Sequence, residues 1–524
     1  MTKTRCGWRS SARVFLSLTI LAVVACTGST PEDGGETSAT AEAPGTPLSI
    51  PELPRGLVIH EDGVSEGYVI FTPLLSDTTY LMDNDGHIVH VWESTFAPGG
   101  GVYLLDNGNI IRAARIPDVK VFNGGGQGGR IQEITWDGEV VWEFDFASDQ
   151  HLLHHDIEIL PNGNILAIAW EAKTADQVGA AGGDPATMPP SGLWPDMVIE
   201  IEPQRPNGGR VVWEWRTWDH LVRDLDDGLP NYGEPSAHPG RIDINATGAP
   251  PEIRSEELEQ LKALGYVPPD AEPEDLGSDM FHTNAIDYNA ELDQIALSTP
   301  RYHEIWIIDH STTTAEAAGS TGGRWGRGGD ILCRWGNPAM YGRGSVDDQK
   351  LFGQHDVRWI PDGFPGAGNL AIFSNDVPAE DGNRSMVVEI AAPMGASGYE
   401  FSDGEPFGPD APVWVYRAAG DVPFYSPFIS GAKRLANGNT LICSGAPGRF
   451  FEVTPDDRIV WDYRDAHSGD VHMPDGSTPH PVGDFTYAVF RVDRVPFDHS
   501  ALAGKTLQPL DPQPPLAGEE GGGS

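Results

Sequence analysis

Six times along this chain a short turn leads into a strand that closes on tryptophan. The copies are NDGHIVHVW to Trp92, WDGEVVWEF around Trp142, NGGRVVWEW around Trp213, GGDILCRW to Trp335, GPDAPVWVY around Trp414 and PDDRIVWDY around Trp461. A second unit follows most of them, a strand ending on an Asn-Gly or Asp-Gly turn: GGVYLLDNGNI, HDIEILPNGNI, HDVRWIPDG and SGAKRLANGNT, with HTNAIDYNAELDQIAL as a divergent copy. Asn-Gly between alternating apolar residues is a strong hairpin signal. A repeated set of short, hairpin-linked strands cannot bury its apolar faces alone and must stack against its neighbours. The pattern predicts an all-β chain folded as a six-bladed β-propeller with long inserted loops. A row of separate β-sandwiches would not require six matching tryptophan strands. The tryptophan spacing is uneven, and the excess is expected in loops, chiefly 172–196 and 218–278, because surface insertions cost little. SEELEQLKALGY (255–266) is the one good amphipathic helix candidate. The strand FTYAVFRVDR is expected to return to the first blade and close the ring.

The ends of the chain read differently. Residues 1–26 carry a basic start, a short apolar run from Val14 to Ala25 and then Cys26. That run is too short to span a bilayer and has the layout of an export signal. Val-Val-Ala-Cys matches a lipoprotein box, so Cys26 is the expected lipidated residue, with 27–50 a disordered tether. The propeller is expected over 51–504 and a disordered Pro/Gly-rich tail over 505–524. Membrane contact is expected only through the N-terminal lipid, in the periplasm or at the cell surface. With 34 basic and 77 acidic residues, net charge −43, the body repels nucleic acid. Of four cysteines, Cys333 and Cys443 lie outside the signal. Export permits a disulfide between them, and two buried free thiols fit equally. Their spacing does not suggest a structural zinc.

Aligning the repeats on their turn glycines singles out one register. Eight positions before the glycine stand Gly100, His155, His355 and Ser430, and His282 opens the divergent copy at the matching place. In a propeller the first strand of each blade lines the axis, so equivalent positions converge at the channel mouth. Three of sixteen histidines stacked at one register point to a site rather than to scatter. Imidazole titrates near neutrality and can serve as nucleophile, acid or base around an anion. The same three rings could alternatively hold a metal with an open position. Asn284 and Arg301 follow His282 closely, and an arginine fork suits a tetrahedral oxyanion better than a cation.

The strings HHDIEILPNGNIL, FHTNAIDYNAELDQIALS, EIWIIDHST, GQHDVRWIPDG, LMDNDGHIVHVW and RLANGNTLICSG resemble the bacterial arylsulfotransferase family, over roughly residues 65 to 465. Members are six-bladed propellers acting outside the cytoplasm. They move a sulfuryl group from a phenolic sulfate ester to a phenol by a ping-pong route, without a nucleotide donor. The resemblance makes His355 the nucleophile that becomes a sulfohistidine and His155 a sulfate-site residue and acid/base. It makes His282 and Asn284 sulfate ligands, Arg301 the sulfate-binding arginine and Ser430 a hydroxyl at the site. It implies an aryl sulfate donor, a phenolic acceptor and no bound cofactor or metal. Some members carry an N-terminal β-sandwich, for which no room is expected before the first blade, and the 218–278 insertion is expected over the channel. The residues themselves leave two rivals: a histidine-based metalloenzyme, and a surface-tethered propeller that binds without catalysis.

Overall fold

The computed structural model describes residues 54–516, apart from 118, 226, 249–254, 268, 381, 396–397, 400, 419–423 and 468–485. The signal, Cys26, the tether and residues 517–524 lie outside the described residues. Among those described, no helix is long and apolar enough to cross a membrane.

Strand β1 (Gly56–His60) precedes β2 (Tyr68–Pro73), β3 (Thr78–Met82) and β4 (Ile88–Glu93) of blade 1. Blade 2 holds β5 (Pro98–Leu104), β6 (Ile110–Arg115), β7 (Gly129–Ile134) and β8 (Val140–Asp145). Blade 3 holds β9 (His151–Ile159), β10 (Ile165–Glu171), β11 (Asp196–Pro203) and β12 (Gly209–Arg216), with helix α1 (Ala175–Ala181) in its β10–β11 loop. The long insertion then supplies a short parallel ladder, β13 (Leu221–Val222) with β14 (Ile242–Asp243), and helix α2 (Ser255–Ala263). Blade 4 follows with β15 (Ala285–Asn289), β16 (Gln294–Thr299), β17 (Glu304–Asp309), helix α3 (Thr314–Ala317) and β18 (Cys333–Trp335). Blade 5 holds β19 (His355–Trp359), β20 (Leu370–Val377), β21 (Arg384–Ile390), a small hairpin of β22 (Met394–Gly395) and β23 (Gly398–Tyr399), and β24 (Trp414–Tyr416). Blade 6 holds β25 (Gly431–Arg434), β26 (Thr440–Ser444), β27 (Arg449–Val453) and β28 (Ile459–Arg464).

The last strand, β29 (Val489–Val495), pairs antiparallel with β2 and becomes the innermost strand of blade 1, while β1 adds a fifth, outer strand to blade 6. The two chain ends thus close the ring by hydrogen bonds to strands distant in sequence.

The six repeated tryptophans all sit on fourth strands, and each reaches the next blade. The indole N–H of Trp142 donates to Gly208 O at 2.8 Å, Trp213 to Thr312 Oγ1 at 3.1 Å, Trp335 to Pro409 O at 2.7 Å and Trp461 to Asn84 O at 2.9 Å. Trp92 instead meets Trp136 of blade 2 edge-on at 5.2 Å, and the Arg434 guanidinium of blade 6 lies 4.9 Å from the Trp414 ring. The repeat is therefore a blade-to-blade staple as well as core filling. Cys333 and Cys443 lie in different blades, both buried and unpaired. Residues 505–516 run along blade 1, where Leu510 N donates to Ile88 O and Gln513 bonds both Ile88 N and Ile88 O.

Trp142 is fully buried. Trp142→Ala should cost about 3–5 kcal/mol of stability, whereas Trp142→Phe, which mainly removes the N–H bond, should cost about 1 kcal/mol plus a packing term. Urea unfolding of the two variants separates packing from stapling.

Candidate functional site

The inner strands enter the axis through a repeated backbone kink. His155 (φ 56°), His282 (φ 55°), Asp356 (φ 60°) and Ser430 (φ 94°) all occupy the left-handed region. The β9–β10 register shifts opposite His155–Asp156, and the β19–β20 register shifts at Asp356. Such bulges re-aim side chains beside functional sites, and non-glycine residues in this region store about 1–3 kcal/mol of strain each. Gly100 holds the same register for a steric reason: a Cβ there would lie 1.4 Å from His155 O.

The three expected histidines converge. The His155 and His282 rings cross edge-to-face at 4.5 Å, and each lies close enough to His355 for their charges to interact. His154, its register neighbour, backs away from the axis and stacks on Trp170 at 4.1 Å.

His355 is held as a neutral imidazole with one defined tautomer. Its Nδ1 lies 2.9 Å from Asn375 Oδ1 and 3.3 Å from Gly353 O. Asn375 is fixed in that orientation because its Nδ2 donates to Ser426 O and Ile429 O at 2.7 and 3.0 Å. With two acceptors facing Nδ1, the proton belongs there, and Nε2 keeps its lone pair. Burial, then the neighbouring His282, push the His355 pKa down to about 3. Burial and the charges of His282, His154, His355 and Arg491 likewise hold His155 well below the ordinary imidazole value.

His282 is paired instead with a carboxylate, its Nδ1 bonded to Asp279 Oδ2. Asp279 Oδ1 accepts from Trp170 Nε1 at 3.1 Å. Burial alone would raise Asp279, but the charges of His282, His154 and Arg301 bring it below its usual value. Arg301, half-buried in the β16–β17 turn, interacts electrostatically with Asp279 and His303, and its guanidinium makes no hydrogen bond to a described residue.

Two other expected site residues are buried and hydrogen-bonded to neighbouring segments of the chain. Asn284 is fully buried and donates to Gln354 O at 3.0 Å, the carbonyl just before His355. Ser430 is also fully buried; its hydroxyl donates to Ser426 Oγ at 2.8 Å and accepts from Gly445 N at 3.0 Å, with no hydrogen bond to a histidine.

The next layer inward contains residues that sequence reasoning missed. Arg491 of β29 donates to Asp156 Oδ2 at 2.5 Å and lies 3.3 Å from Asp356 Oδ1. Arg358 donates to Asp356 Oδ1 at 2.8 Å, to Asp156 Oδ2 at 3.0 Å and to Tyr103 Oη at 3.0 Å. Once FTYAVFRVDR is taken as an innermost strand, Arg491 stands next to the histidine register, which is the signal that would have found it. Among the described residues, no group of three or more His, Cys, Asp and Glu side chains is arranged to hold a metal ion.

The insertion roofs this layer. Leu264 and Tyr266, just beyond α2, pack with Leu74, Leu75, Ile429 and Phe490. The glycine-rich stretch 124–126 fits between, where a Cβ on Gly126 would lie 2.2 Å from the His155 ring and one on Gly125 would touch both Leu261 and His282.

The arylsulfotransferase (ASST) family model matches residues 71–468, most of the chain and all of the converging residues except Arg491. The chain belongs to the arylsulfotransferase family. Membership carries arylsulfotransferase-type activity and points to aryl sulfates and phenols as substrates. No curated protein matches the chain significantly. Solved structures match at low identity. A protein of unknown function from Bacteroides caccae is 11% identical with TM-score 0.40, covering 82% of this chain and 98% of that one. Virginiamycin B lyase from Staphylococcus aureus is 11% identical with TM-score 0.32, covering 81% and 90%.

The depressed histidines have a stability signature. His155 and His355 are neutral in the fold at pH values where the unfolded chain, with ordinary imidazoles near 6.5, takes up protons. Stability should therefore be fully present above pH 6.5 and decline as pH falls from 6.5 toward 3. His355→Asn should flatten part of that decline in urea midpoints measured across the range.

Proposed function

We propose that this arylsulfotransferase works by a two-step transfer through a sulfohistidine at His355. The observation that carries the reading is the tautomer-locked, neutral His355 imidazole, with Nδ1 engaged by Asn375 and Gly353. In the first step Nε2 attacks the sulfur of an aryl sulfate, the N–S bond forms and the S–O bond to the aryl group breaks. The aryloxide leaves with the bonding pair and takes up a proton from His155. A second phenol then gives its proton back to His155 and attacks the sulfur, freeing His355. An imidazolium at His282, compensated by Asp279, would offer an N–H to a sulfuryl oxygen, and the unengaged Arg301 guanidinium supplies a second cation. Asn284 and Ser430 act by holding the strands that carry the site. The chain itself supplies every group that these steps use. Export as a lipoprotein anchored through Cys26 fits a small-molecule transferase that needs no cytosolic nucleotide donor.

Intact-mass measurement after exposure to 4-nitrophenyl sulfate alone should show one added sulfuryl group, absent in His355→Ala. No label with any aryl sulfate would sink the reading and leave a propeller that binds without transfer. Because His355 stays neutral down to about pH 3, quenched-flow labelling rates should hold level between pH 7 and 5. A loss following an ordinary imidazole titration near 6.5 would show that another group is the nucleophile.

A further inference from the structure

His154 has no part in the transfer described above, yet it is 2% exposed and surrounded by polar partners. Its Nδ1 lies 2.8 Å from His155 Nδ1, so one ring must donate and the other accept. Its Nε2 lies 3.3 Å from Asp196 Oδ1, an ion-pair contact rather than an aligned hydrogen bond, and neither atom has a hydrogen-bond partner among the described residues. Asp196 is itself buried and is held by Thr283 N, which donates to Oδ2 at 2.7 Å. A carboxylate oxygen can only accept, so the His154 proton belongs on Nε2. That leaves His154 Nδ1 as the acceptor, makes His155 the Nδ1–H donor, and gives His155 a free lone pair on Nε2. The stack on Trp170 keeps the His154 plane fixed, and Trp170 in turn is tied to Asp279.

We propose that His155, His154 and Asp196 form a proton relay that takes up the acceptor's proton at His155 and holds it on His154 beside Asp196. The inference rests on the sulfotransferase reading given above. His155 is a poor place to leave a positive charge, because His282, His355 and Arg491 all face it. When the phenol O–H gives its proton to His155 Nε2, the His155 Nδ1 proton passes to His154 Nδ1. His155 is then neutral again, and His154 is an imidazolium paired with the Asp196 carboxylate and also facing Asp279. In the donor half-reaction the extra proton held on the His154 imidazolium returns through His155, whose Nε2–H passes to the departing aryloxide while its Nδ1 recovers the proton from His154, which leaves both rings neutral for the next acceptor. This extends the logic by which a buried aspartate sets the tautomer of a catalytic imidazole by one more ring.

Asp196→Asn is the sharp test. The amide oxygen can keep the Thr283 bond while its NH2 faces His154 Nε2, which reverses the donor sense and leaves His155 with Nε2–H. Two half-reactions are measured separately: labelling by 4-nitrophenyl sulfate, whose aryloxide departs without needing a proton, and transfer from the labelled enzyme to phenols of graded acidity. Labelling should be unchanged. Transfer to phenol itself should fall by about 10²-fold or more, and should recover progressively with more acidic acceptors. His154→Phe, which preserves the ring stack, should give the same split if the asparagine variant folds poorly. Equal losses in both half-reactions would assign the pair a purely structural role and overturn the relay, as would no loss in either. Failure of the unmutated enzyme to label at all would overturn the sulfohistidine reading itself, a separate outcome from a labelled enzyme with an indifferent Asp196.

Discussion

Two aspartates and two arginines packed across the propeller axis are the constraint on which the site depends. Asp156 and Asp356 face Arg358 and Arg491, with side chains no more than 6% exposed. Burial would raise the Asp156 carboxyl, but the two guanidiniums hold it below its usual value. Glu158 at the edge of the layer is pushed up to about 8 by burial and by Asp287, so it adds little negative charge near neutrality. Asp287, 3.4 Å from Arg358 and itself raised by burial, is a third aspartate on this layer. Tyr103 on β5 joins it from blade 2 through a 2.6 Å bond to Asp156. The aspartates also take backbone N–H groups of adjacent blades, Asp156 that of Ile286 and Asp356 that of Ala432. Removing one member would strand a buried charge, at about 3–5 kcal/mol. Each aspartate directly follows a site histidine, so the layer that closes the channel also fixes where the imidazoles point.

The fold was legible because its cause is periodic. A tryptophan recurring on the fourth strand of each blade and a turn glycine recurring after four of the inner strands are one-dimensional traces of the same radial contact. Closure by FTYAVFRVDR followed from the need to pair an otherwise open first blade. The register also singled out His155, His282 and His355, whose rings lie together, whereas His154 stacks on Trp170.

What the sequence hid is the chemistry that depends on direction. Gly100 and Ser430 share the histidine register, but one is dictated by the close approach of His155 O and the other by a hydroxyl network with Ser426. Asn375, Asp279 and Asp196 stand against nitrogens of His355, His282 and His154 from sites 20, 3 and 42 residues away, with no repeat to mark them. The resemblance placed Asn284 among the ligands; its Nδ2 donates to the carbonyl preceding His355, and its buried Oδ1 has no hydrogen-bond partner among the described residues. Hydrogen-bond direction leaves no period in a sequence.

The closing strand has a temporal consequence. The three histidines, their aspartates and Arg358 are all synthesised well before Arg491, which arrives on β29, the last strand of the chain order. Until then Asp156 and Asp356 share one guanidinium instead of two, and blade 1 lacks its axial strand. Domains of this size are made over tens of seconds, so for the final part of that interval the chain holds its reactive residues without the centre that organises them. The strand that closes the ring is thus also the one that completes the charged layer behind the histidines.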